Sequence, residues 1–130
     1  MALPDGQNLV VLIATSGSSR DRWSEVVETI QHHSGETRFE FVDGVEYEDL
    51  TAAEIRELLD NAGGRTYAFL VDDRALTDKE HPVLAVSCFS EDEVRVVPAQ
   101  LAGVADNLAI ANLSIGDFAR AADSDGVLRT

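Results

Sequence analysis

The chain has 130 residues, 45% of them hydrophobic, and 24 acidic against 10 basic side chains set the formal net charge at −14. That length suits one domain with one core, and the hydrophobic fraction is too high for general disorder. The charge argues against binding nucleic acid or an anionic membrane, because holding phosphate takes clustered Lys or Arg and Lys79 is the only lysine.

No uninterrupted apolar stretch approaches the roughly 20 residues of a membrane span. The first apolar run, 9–14, is too short for a secretory core and precedes the first basic residue, Arg20. A cytoplasmic protein is expected. Cys88 is the only cysteine, which excludes an intrachain disulfide and a cysteine-based zinc site. Its neighbours predict a buried thiol in a strand.

In chain order, residues 1–7 are expected to be loose, with a turn at Pro4-Asp5-Gly6. "NLVVLIA" (8–14) is apolar and β-branched, so it predicts a strand buried on both faces. "TSGSS" follows as a Ser/Gly loop. Trp23, Val26, Val27 and Ile30 then fall on one helical stripe, capped by Ser19 and stopped at Gly35. His32 and His33 occupy its last turn, where the helix dipole favours positive charge. "TRFEFVD" (37–43) alternates and predicts a strand with Phe39 and Phe41 on one face. "GVEYED" reads as an acidic loop. "TAAEIRELLDNAGG" (51–64) pairs Thr51 with Glu54 as a capping box, carries Ile55, Leu58, Leu59 and Ala62 as its stripe, and stops at Asn61–Gly64.

"TYAFLVDD" (66–73) predicts a third buried strand. Strands at 82–89 and 93–97, joined by a short polar turn, predict an antiparallel hairpin that Pro98 ends. "QLAGVADNLAIANL" (100–113) predicts a short helix and a turn. "SIGDFARAA" (114–122) begins with a second capping box, Ser114 and Asp117, and is expected to bury Ile115, Phe118 and Ala122. The tail at 124–130 is expected to be loose. The order β-α-β-α-β and a hairpin predicts a single three-layer α/β domain. Its sheet of about five strands would be mostly parallel, with helices at the C-terminal end of the chain.

Open α/β sheets place ligands at the carboxyl ends of their strands. Those ends carry Asp43, Glu46, Glu48, Asp49, Asp72, Asp73, Asp78 and Glu80, so an acidic edge is expected. Paired aspartates are the ligands hard cations need. A receiver-type phosphotransfer site also requires carboxylates after the first strand and a lysine after a later one. This chain has "ATSGSS" after its first strand and Lys79 before the fourth. "TSGSSR" lacks the glycine spacings of phosphate-binding loops. No GxSxG elbow activates Ser16, Ser18 or Ser19, and a buried Cys88 is a poor nucleophile. His81, held before Pro82, suits a capping or orienting role. His32 and His33 are expected to diverge rather than clamp a metal. Asn107 and Asn112 are expected to satisfy local backbone. Asp72 or Asp73 is expected to cap the turn that follows, with Arg74 as an ion-pair partner.

The stretches "RFEFVDGVEYEDLT", "AFLVDDRALTDKEHPVLAVS" and "VRVVPAQLAGVADNLAIANLSIGDFARAADSDGV" resemble an uncharacterised family of small acidic actinobacterial proteins of the Streptomyces type, a domain of unknown function. The resemblance runs from Leu9 to Val127, and Trp23 matches the family's tryptophan in the first helix. The family tends to carry a charged, aromatic-containing segment where this chain has "ATSGSS". The resemblance implies a common fold and no particular chemistry.

With no complete catalytic set, no metal and no cofactor implied, the leading expectation is a non-catalytic acidic domain that docks a basic protein, as immunity proteins and inhibitors do. The alternative is a metal-assisted enzyme in which Asp43, Asp72 and Asp73 hold a cation beside His81.

Overall fold

The apolar run near the start of the chain forms β1 (Val10–Ala14), with all five residues buried. The computed structural model describes residues 10–16, 20–61, 66–109 and 112–129. The expected Ser19 cap, the stop at 62–64 and the loose start at 1–7 lie outside these. α1 (Arg20–His33) buries Val26 and Ile30 and ends before Gly35, whose φ of +59 is open to glycine at little cost. β2 (Phe39–Val42) pairs parallel to β1 and is the outermost strand on that side. After one 3-10 turn (Val45–Tyr47), α2 (Ala52–Asn61) starts at the expected box: Thr51 Oγ1 accepts from Glu54 N–H at 3.2 Å, and a Glu54 carboxylate oxygen accepts from Thr51 N–H at 3.1 Å.

β3 (Tyr67–Val71) is again buried throughout and lies parallel to β1 on the side away from β2. Asp73–Thr77 form a short helix, α3, where the sequence predicts only a capped turn. β4 (Val83–Ser87) is antiparallel to β3, and β5 (Val94–Val96) is antiparallel to β4, giving the expected hairpin. Cys88 falls just beyond β4 and is half-buried rather than enclosed in a strand. α4 (Pro98–Ala109) begins on Pro98, which has no N–H to lose in a first turn.

α5 (Ile115–Ala121) carries the second capping box in full. Ser114→Ala should cost about 1 kcal/mol in a urea melt, because Asp117 N–H loses its acceptor. An unchanged midpoint would mean the box contributes nothing.

The tail departs from expectation. Val127–Leu128 form a sixth strand, β6, parallel to β5 and fully enclosed. Gly126, at φ +81, turns the chain into it, with Asp123 N–H bonded to Val127 O at 3.0 Å. The result is an α/β fold, among the described residues a mixed six-stranded sheet in the order β2-β1-β3-β4-β5-β6 with five helices.

Alternate strand residues divide between two apolar clusters. Leu12, Phe69, Val83 and Val96 pack with Val26 of α1, Leu101 of α4 and Ile115 of α5. Val11, Ile13, Leu70 and Val86 pack with Ile55 and Leu59 of α2. The crossovers α1, from β1 to β2, and α2, from β2 to β3, therefore lie on opposite faces of the sheet, and the strand order reverses between β1 and β3. Among the described residues no helix is long and apolar enough to cross a membrane.

Candidate functional site: the carboxyl edge of the sheet

The reversal between β1 and β3 marks the crevice where sheets of this kind hold ligands. Here hydrogen bonds span it. Thr15 N–H bonds to Val71 O at 3.1 Å, and Asp49 N–H bonds to Thr15 O at 2.8 Å. The Ser16 hydroxyl donates to the Asp73 carboxylate. Asp49 holds φ +65, a conformation that Asp tolerates better than most side chains. Ser16, Asp49 and Asp73 are thus drawn to one place. Residues 17–19, and with them most of the expected Ser/Gly loop, lie outside the described residues.

Asp72 is placed differently. Its carboxylate caps α3, accepting from Ala75 N–H at 3.1 Å. It also receives two bonds from the Arg95 guanidinium, at 3.0 and 2.7 Å, and Arg95 further donates to Pro82 O at 2.9 Å. Arg95, not the neighbouring Arg74, is the ion-pair partner. Burial pushes the Asp72 carboxyl up, but the bonds from Arg95 and Ala75 outweigh it and hold the group below the ordinary range.

The other expected edge residues separate. Asp78 accepts from Glu80 N–H at 3.0 Å in a local turn. Glu80 grips Arg129 through two bonds at 2.7 and 2.9 Å, beside β6 at the far side of the sheet from β2. Arg129 also pairs with Asp123 and Asp125, and its bonds lower the Asp125 carboxyl to about 2. Asp43, Glu46, Glu48 and Asp49 remain exposed on the segment between β2 and α2. Within that segment Tyr47 is buried against the α2 cluster, and Val45 is 79% exposed. Burial first, then the Glu46 and Glu40 carboxylates, push the Tyr47 phenol above its usual range. A shallow concavity of about 350 Å³ between β2 and this segment is lined by Glu40, Asp43, Glu46 and Tyr47.

His81 does not approach these carboxylates. It is buried at φ +48, with Nδ1 2.8 Å from Ala75 O and Nε2 3.5 Å from Glu25 of α1. His32 and His33 meet edge to face at 5.0 Å rather than diverging. Among the described residues no group of three or more His, Cys, Asp or Glu is arranged to hold a metal ion.

Residues 9–130 match a family model described as a domain of unknown function, DUF6924. The chain belongs to this family. No curated protein matches it. Among solved structures it is similar to the prolyl-tRNA synthetase of Cryptosporidium parvum complexed with L-proline and AMP, at 12% identity and a TM-score of 0.59. That match covers 81% of this chain and 21% of the synthetase, so the DUF6924 chain spans about a fifth of the protein it resembles. The likeness is one of fold alone.

Three features of this DUF6924 domain have little trace in its sequence. Arg95 and Arg129 stand 23 and 49 residues from the carboxylates they bind, Asp72 and Glu80, beyond the reach of local spacing rules. The third is a cleft at the opposite end of β3, beside the exposed Phe89. Asn107 and Asn112 behave as local side chains: Asn112 donates to Asn107, and Asn107 to Gly103 O, both at 2.8 Å.

Proposed function

We propose that this domain docks a basic protein through the segment between β2 and α2, without catalysing a reaction, in the manner of an immunity protein or inhibitor. The supporting observation is Val45, 79% exposed among the exposed carboxylates of Asp43, Glu46, Glu48 and Asp49. An apolar side chain inside a charged rim is the arrangement of an interface anchor: the anchor supplies affinity, and the rim steers approach. Tyr47 and the Asp49–Thr15 bond hold the segment in place, so little conformational freedom is lost on binding.

The distribution of positive charge favours the same reading. Among the described residues Arg56, Arg95, Arg120 and Arg129 pair with Glu93, Asp72, Asp117 and Glu80, none of them a carboxylate of the segment between β2 and α2. The net charge of −14 extends the field that would draw in a basic partner. The reading takes the domain to act in an actinobacterium, the source its resemblance implies, and in the cytoplasm, as the short first apolar run suggests.

The test is parallel capture from a lysate of the source cells by wild type, by Val45→Asp and by a variant carrying Asp43→Asn, Glu46→Gln, Glu48→Gln and Asp49→Asn. A basic protein held by wild type alone is expected. Its association rate with the neutralised variant should fall about tenfold at low salt and approach the wild-type rate at high salt. A partner that binds all three proteins equally, or no specific partner at all, would refute the reading.

A further inference from the structure

The end of the sheet opposite the acidic segment carries a cleft of about 430 Å³. It opens where β3 begins and β4 ends, with Tyr67, Ser87, Leu108 and Ile115 contributed by β3, β4, α4 and α5 and with Phe89, Asp92 and Leu113 contributed by the adjoining loops. Tyr67, Phe89, Leu108, Leu113 and Ile115 make it largely apolar. Small-molecule sites commonly measure roughly 300–1,000 Å³ and combine such walls with a few polar groups. Here those groups include Asp92 at the rim and Ser87, which is 7% exposed.

Two observations indicate the chemistry of an occupant. Phe89 is 80% exposed and Leu113 39%, so apolar surface in and beside the cleft stands in water. Asp92 is exposed, and among the described residues only the Ser90 hydroxyl donates to it, at 3.3 Å. The other rim carboxylate, Asp117, is engaged by Arg120 and by the Ser114 cap. Asp92 also occupies space that a side chain would take from it. A Cβ at Gly116 would lie 2.7 Å from its Oδ2, so the glycine lets the carboxylate rest against the first turn of α5. The cleft thus pairs an apolar chamber with the Asp92 carboxylate at its mouth, where among the described residues no ion pair holds it, although the Arg120 guanidinium also lies beside Gly116.

We propose that this cleft binds a small organic cation, an amine with an apolar body, with the body against Phe89, Leu113 and Ile115 and the ammonium on Asp92. The site is independent of the docking segment, which lies at the other end of the strands. An anionic ligand of the same shape would meet Asp92 as a like charge. A hydrophilic amine would leave the apolar walls wet.

The test is an amide-shift titration of the isotope-labelled full chain at moderate salt. The probes are 2-phenylethylamine, 3-phenylpropionate, which has a similar body with negative charge, and ethylamine, which has the charge with almost no body. Saturable shifts of the 87–92 and 112–117 amides are expected with 2-phenylethylamine, with the other two binding at least about tenfold more weakly. Asp92→Asn should weaken the first probe by about tenfold, and Phe89→Ala by several-fold. Both side chains are exposed, so both variants should fold as wild type. Equal binding of the propionate would overturn the proposal. So would shifts centred on 43–49, wild-type affinity in both variants, or the absence of saturable binding.

Discussion

Phe69→Ala should lower the unfolding free energy by about 3–5 kcal/mol. Phe69 is fully buried in β3, between β1 and β4. Its ring meets Tyr67 edge to face at 6.2 Å and belongs to the cluster that receives α1, α4 and α5. The strand is paired on both sides, so its backbone has little freedom to collapse into the void. Domains of this kind have about 5–15 kcal/mol in total, so the variant should be visibly destabilised. Urea denaturation followed by circular dichroism should show a lower midpoint at unchanged slope. A loss below about 1 kcal/mol would mean the cluster relaxes around the vacancy, contrary to the packing described.

Arg95→Met should cost about 2–3 kcal/mol at neutral pH, because it leaves the Asp72 carboxylate enclosed without its partner. The side chains of Arg95 and Asp72 are 16% and 30% exposed, so water offsets only part of that loss. The sign of the pH dependence follows from the lowered Asp72 carboxyl. In wild type the pair's contribution is present in full above the unfolded carboxyl value of about 4 and is lost as pH falls through the lower folded value. In Arg95→Met the burial remains and the guanidinium bonds are gone, so protonation relieves the variant. The gap between the two proteins should therefore narrow below about pH 4. Adding Asp72→Asn to Arg95→Met should recover part of the loss, since asparagine still caps α3 without a charge. A gap equally wide at pH 3 and pH 7 would assign the loss to packing instead.

The parts of the fold legible in the sequence were those whose cause is local. β1 and β3 read as continuous apolar runs because both of their faces are covered. The boxes at Thr51 and Ser114 close over three residues, and each side chain there has its cause within one turn. β6 was missed because two residues behind "DSDG" carry no period, and its order comes from β5 and the Gly126 turn. α3 was missed because one helical turn is too short to show a stripe.

The candidate site divided for the same reason. Strand topology alone brings Asp49, Asp73 and Ser16 together, so the carboxyl edge could be named in advance. Which carboxylates would be engaged depended on Arg95 and Arg129, which lie on strands or turns distant in sequence. The cleft could not be anticipated either, because it is a space between elements, and only the exposed Phe89 hints at it.

The sheet begins and ends in its shortest or more exposed strands, β2 with four residues, none but Val42 fully buried, and β6 with two. A growing fibre recruits new chains through long, flat rows of free amide and carbonyl groups, and among the described residues neither border of this sheet supplies one. Glu40 in the middle of β2 sets a negative charge on the longer border, and every approaching copy bears the same excess of negative charge. Crowding many copies together therefore gives no template for polymerisation, and the molecule can expose Val45 and Phe89 to water without recruiting its own kind through the sheet.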